Sequence, residues 1–169
     1  MAFTLEDGTG VSGANAYCTE AELESYSDDR AITLADGDEG AAIIRASAAF
    51  DARYRARFNG YRSHGPNQGM EWPRTAAYDR EGYLVSGAVI PVQIKLAVCE
   101  MAIRELADPG SMLPDLDRGG AIQTMRAGSV EITYAANASV KTTFQLIDRM
   151  LDGLLGVPQS GVAGMALRG

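Results

Sequence analysis

The chain has 169 residues, 46% of them hydrophobic and 22% charged. That suits one soluble domain long enough to bury a core, with residues left over for arms. A formal net charge of −7 runs against a general nucleic-acid binder, which carries a basic footprint, and no apolar stretch approaches the ~20 residues of a membrane span.

Residues 1–17 read as an N-terminal arm, because Gly8, Gly10 and Gly13 break any period and no apolar face develops. It has neither the basic nor the apolar part of a secretory signal, so a cytoplasmic chain is expected. Thr19 and Glu22 form a capping box that predicts a short helix over residues 20–29. Gly37 and Asp38 open a second helix, residues 39–59, which Gly60 closes; its apolar stripe is Ile43, Ala46, Phe50, Tyr54 and Phe58.

Residues 60–90 are a long connection rich in Gly, Pro and Asn, and they hold the single tryptophan, in Glu71-Trp72-Pro73-Arg74. Pro73 biases Trp72 to an extended backbone, and an indole so placed between helices predicts a cap on the core formed by Trp72, Pro73 and Arg74. Arg74 is open to an acid of its own subunit or of the next. Asp79-Arg80-Glu81-Gly82 signals a turn, after which Val85, Val89 and Ile90 return to the core.

Pro91 suits the first position of a third helix. Ile94, Val98, Met101 and Ala102 give its buried face, Lys95, Arg104 and Glu105 its wetter one, and Asp108-Pro109-Gly110 its end. Residues 121–134 alternate around Gly128 and predict a β-hairpin, with Val130, Ile132 and Tyr134 on one face. A fourth helix, residues 141–155, carries Phe144, Leu146, Ile147, Met150, Leu151, Leu154 and Leu155, enough for burial by more than one neighbour. Residues 156–169 are a tail with no charge before Arg168. The expected fold is mainly α: a small bundle of about four helices, residues 18–155, with a β-hairpin and extended N- and C-terminal arms.

Little of this reads as catalytic. His64 is the one histidine, and the two cysteines, Cys18 and Cys99, lack metal-binding spacing, so neither a metal nor a cofactor is expected. They read as free buried thiols. Gly8-Thr9-Gly10-Val11-Ser12-Gly13 spells a dinucleotide fingerprint, but no βαβ pattern surrounds it. Residues 1–40 hold ten acids and one base, Arg30, whereas residues 41–80 hold seven arginines and three acids. Such a split suits one copy's acidic part meeting the next copy's basic part. Projected on a helix, the arginines scatter: Arg45 and Arg55 fall on different sides, while Arg53 and Arg57 edge the apolar stripe. Asp51 is spaced to pair with Arg55.

The arm AFTLEDGTGVSGANAY, then ARYRARFNGYR, EWPRTAAYDREGYLVSGAVIP and the apolar VQIKLAVCEMAIREL, in that order, resemble a family of tailed-phage and prophage proteins. That family carries a DnaT-like single-stranded-DNA-binding label, and its members also resemble head-to-tail adaptor (connector, head-completion) proteins of the phage neck. The resemblance covers the chain to about Leu155 and rests most on Asp7-Gly8-Thr9-Gly10 with Ala14-Asn15, and on Trp72-Pro73-Arg74 with Ile90-Pro91.

It implies a non-enzymatic, mostly helical virion protein assembled in the host cytoplasm as a ring, commonly dodecameric. The ring would lie beneath the portal protein, meet a tail-completion, terminator or nozzle protein on its other side, and pass genomic DNA without sequence-specific binding. On this reading the tail residues Val157, Val162, Met165, Leu167 and Arg168 dock on the portal. The arm residues Asp7, Gly8, Thr9, Gly10 and Asn15, with Arg53 and Arg57, make subunit contacts. The label itself points to single-stranded-DNA binding, and a small enzyme using the GTGVSG loop is a third reading.

Overall fold

In the computed structural model, the described residues are 2–113, 124–127, 130–133 and 144–155. They form four α-helices and three two-stranded antiparallel ribbons. Helix α1, Glu20–Asp28, starts at the capping box: the Glu22 N–H donates to Thr19 Oγ1 (3.1 Å), and the Thr19 N–H donates to Glu22 Oε2 (2.8 Å). Helix α2, Glu39–Tyr54, starts where Asp38 Oδ1 accepts the Ala41 N–H (2.8 Å).

The predicted stripe of α2 is its buried face, since Ile43, Ala46, Phe50 and Tyr54 have no exposed surface and Phe58 has 8%. The helix stops earlier than residue 59, however. Arg55–Arg57 tighten into a 3₁₀ turn and Phe58 is extended, which turns its ring toward Trp72 and lets its backbone bridge to Leu155.

Between α2 and α3 the chain makes two small ribbons. In the first, β1 (Tyr61–Arg62) pairs with β2 (Arg74–Thr75); in the second, β3 (Ala77–Tyr78) pairs with β4 (Leu84–Val85). Helix α3, Val92–Ala107, follows Pro91, which is its N-cap rather than its first residue. It packs against α2, α1 and α4, so α2 and α3 are the centre of the core. Ile94, Val98, Met101 and Ala102 are fully buried there. Ile94, Val98 and Met101 each contribute about 1.5–3 kcal/mol, against about 0–1 for an exposed ion pair, so the apolar seam governs stability.

Glu105, expected on the wetter side of α3, is buried. Its carboxylate accepts the Arg45 Nε–H (2.8 Å) and the N–H groups of Gly110 (2.8 Å) and Met112 (3.0 Å), closing the helix end. Burial opposes its charge, but those three donors together hold the carboxyl below its usual range.

The hairpin is present as β5 (Thr124–Ala127) and β6 (Val130–Thr133), with Ala127 opposite Val130. Helix α4 is Gln145–Leu151, shorter than the period suggested. Ile147, Leu151 and Leu154 are buried, whereas Leu146 is exposed, so α4 buries one side only. Tyr134, Lys141 and residues 156–169 lie outside the described residues. Among those described, no helix is long and apolar enough to cross a membrane.

Candidate functional site

A buried carboxylate joins the N-terminal segment, α2 and the crossover. Asp51 Oδ1 accepts the Tyr17 hydroxyl (2.7 Å) and Oδ2 accepts the Glu71 N–H (3.0 Å), while Tyr17 Oη accepts the Trp72 N–H (3.1 Å). Burial pushes the Asp51 carboxyl up to about 7, against the opposing pull of the Tyr17 and Glu71 donors. Burial and the Asp51 charge also push the Tyr17 phenol up. Arg55, spaced to pair with this carboxylate, instead donates from Nε to the Asp51 carbonyl (3.3 Å), because Tyr17 and Glu71 already occupy the acid.

Trp72 is 1% exposed and stands edge-on to Phe58, with centroids 5.6 Å apart. Phe58 continues the aromatic row to Phe50, and Phe50 to Tyr17 and Tyr54. The indole N–H has no partner among the described residues, so the ring contributes apolar area and shape. The Trp72–Pro73 peptide is cis.

Arg74 turns inward to its own chain. It donates to Glu71 Oε2 (3.0 Å) and to the carbonyls of Asn59 (2.8 Å) and Gly60 (2.8 Å). Gln68, which nothing in the sequence singled out, is buried and bonds to the carbonyls of Met70 (2.8 Å) and Pro73 (3.0 Å).

The N-terminal segment is a closed loop on this same chain, not an extended strap. The Glu6 N–H donates to the Ala16 carbonyl (2.9 Å) and the Asn15 N–H to the Thr4 carbonyl (2.9 Å). The loop turns around Glu6, a fully buried acid whose Oε1 accepts the N–H groups of Gly8 (3.0 Å) and Gly10 (2.9 Å). Gly8 lies on the Ala88 carbonyl, Gly10 on the His64 ring, and Ala14 on Gly69. Asp7 and Thr9 bond each other through their side chains (2.6 Å), and Asn15 bonds Thr4 and Ala2. Ala14, Ala16 and Tyr17, assigned to the arm, belong to the core. The GTGVSG stretch is therefore a loop laid on a crossover, without the strand and helix that a dinucleotide site requires.

The two residues expected to edge the α2 stripe meet α4. Arg57 pairs with Asp148 (3.4 Å), which also accepts the Tyr54 hydroxyl (2.9 Å), and the Arg53 guanidinium lies 4.7 Å from the Phe144 ring centre. Other cations are used in the same way: Arg45 with Glu105, Arg74 with Glu71, Arg80 with Asp152, Lys95 with Glu22 and Arg104 with Glu100. Among the described residues no group of three His, Cys, Asp or Glu is placed to hold a metal ion. Val157, Val162, Met165, Leu167 and Arg168, expected to dock on a portal, lie outside the described residues.

No curated protein and no solved structure matches the chain. One family model, described as "Putative DnaT-like ssDNA binding protein", matches it over residues 1–169. With the whole length matched, the chain belongs to that DnaT-like family.

Proposed function

We propose that this chain is a non-enzymatic assembly subunit: a head-to-tail adaptor of the tailed-phage neck, built into a ring beneath the portal protein. The ring extends the DNA channel and seats the tail. The observation that supports it best is the use of the cations. Among the described residues, six of them are bound to carboxylates of their own chain, under a net charge of −7. A surface that tracks phosphates keeps its cations together and free, whereas a channel through which DNA slides works better without fixed positive charge.

A second reading, single-stranded-DNA binding, is favoured by the family description, which supports it more directly than it supports an adaptor. Exposed Tyr61, Tyr78 and Tyr83 add to it, because bases stack on such rings. Co-sedimentation with purified portal rings tests the adaptor reading. The full chain is expected to bind, and deletion of residues 156–169 to abolish binding while helix content is kept. A full chain that ignores portal rings sinks the adaptor.

A further inference from the structure

The two cysteines of the chain, Cys18 and Cys99, are far apart in sequence and together in the core. Cys18 is 0% and Cys99 2% exposed, and both thiols are free. The two sulfur groups share a hydrogen bond. No spacing in the sequence pairs them. The packing of α1 on α3 brings them together, since Cys18 directly precedes the α1 cap and Cys99 lies within α3.

The backbone on both sides of this contact is pinned. Glu22 accepts the Thr19 N–H with one carboxylate oxygen (2.8 Å) and Lys95 Nζ with the other (2.7 Å). Lys95 stands one helical turn before Cys99, on the same side of α3. The Tyr26 hydroxyl donates to Glu100 Oε2, next to Cys99 (3.4 Å). On the other side of Cys18, the Tyr17 N–H donates to Ser47 Oγ (3.3 Å) and its hydroxyl to Asp51 (2.7 Å). Both sulfurs are thus positioned before any bond forms, as a disulfide of low strain requires. A metal is a poorer fit. Among the described residues no third ligand joins the pair, and two thiols alone do not complete a zinc sphere.

We propose that Cys18 and Cys99 are a latent disulfide, a redox latch that ties the root of the N-terminal loop to α3 when a small-molecule disulfide oxidises the pair. One cysteine thiolate attacks a sulfur of the oxidant, which forms a mixed disulfide and releases one small thiolate. The other cysteine thiolate then attacks the protein sulfur of that mixed disulfide, which forms the Cys18–Cys99 bond and releases the second. The two thiols lose two protons and two electrons, and the oxidant is reduced to two thiols. In the closed fold, the hydrogen bond with Cys99 and burial push the Cys18 thiol up, so it stays protonated and slow to react. Oxidation therefore begins when the loop lifts and ends with the loop tied down. In the reduced chain the loop is held by packing and by hydrogen bonds such as those of Glu6 to Gly8 and Gly10; in the oxidised chain its root is covalent. The latch is independent of both functional readings above.

Refolding the full chain from urea in oxidised glutathione, followed by acid quench and intact mass, tests this. The chain is expected to lose two hydrogens with no glutathione left attached and to keep its circular dichroism. Its urea midpoint is expected to rise by about 1–2 M and to return on addition of dithiothreitol. Amide exchange at Gly8, Gly10 and Asn15, the donors that close the loop, is expected to slow at least about tenfold in the oxidised chain. Cys99→Ala is expected to show neither the rise nor the slowing in the same buffer, which separates the bond from any other effect of the oxidant. Thiols that stay free, a stable glutathione adduct without closure, or closure that lowers the urea midpoint would each overturn the latent disulfide. Closure that leaves exchange at Gly8, Gly10 and Asn15 unchanged would overturn the latch.

Discussion

Asp51 sets how part of the fold responds to pH. Its carboxyl sits at about 7 in the folded chain against 3.8 as a free side chain. The protonated form is thus the one the fold favours. Its contribution is fully present below pH ~4 and is lost as pH rises through ~7, at up to about 1.4 kcal/mol per pH unit. Glu22 and Glu105 have the opposite sign, because their carboxyls are lowered in the fold and their stabilisation is lost as pH falls. A comparison with Asp51→Asn isolates the single group. Asn still accepts the Tyr17 hydroxyl but turns an N–H₂ toward the Glu71 N–H, costing about 1–3 kcal/mol. Urea midpoints should show that deficit near pH 5 and a smaller one near pH 8; an equal deficit at both values would remove the pH role of Asp51. Nothing in the sequence separates Asp51 from an exposed helix acid, since its i,i+4 arginine suggests a surface pair. What buries it is Tyr17, thirty-four positions earlier, and only the tertiary fold brings the two together. Arg74 is the converse case, because its neighbour Glu71 was visible in the motif and became its partner.

At the scale of elements, the helices were legible and the connections were not. The capping box, the Asp38 cap and the apolar stripes are local signals, and α1, α2 and α3 begin where those signals stand. The end of α2 is set by where Phe58 must go to meet Trp72, a contact fourteen residues away. The ribbons are too short to show alternation. The N-terminal segment shows why composition misled: its glycines read as an arm because they carry no apolar side chains, yet the backbone they free is what fits against the crossover. Gly8 has φ +104°, and a Cβ there would stand 2.5 Å from the Ala88 carbonyl oxygen; Gly13 has φ +83° and open space around it. Gly13→Ala should therefore cost only the left-handed strain, about 1–2 kcal/mol. Gly8→Ala adds a backbone clash that no side-chain rotation relieves, so it should cost clearly more, as measured by urea unfolding. Equal costs at the two positions would mean that the loop does not lie on Ala88.

Over the whole molecule, charge is the property on which the two proposed readings of function differ most. Single-strand binding is driven by cations that displace condensed counterions, and log K falls with log salt at a slope of about −0.7 for each phosphate neutralised. The chain carries fifteen lysines and arginines against twenty-two acids, and the paired cations cited above each bring a carboxylate with them. To meet a phosphate, Arg57 would have to leave Asp148, and Arg80 would have to leave Asp152. Exposed tyrosines provide rings for stacking, but stacking without a basic groove lacks the long-range attraction that gathers a polyanion. Fluorescence anisotropy with a labelled oligothymidine should therefore show no saturable binding in the micromolar range at physiological salt. Any binding at low salt should have a shallow slope, corresponding to about one or two phosphates. Tight binding with a slope of several phosphates would reverse the choice. It would make the DnaT-like description literal for this chain, and it would require the described ion pairs to open or the cations beyond the described residues to supply the groove.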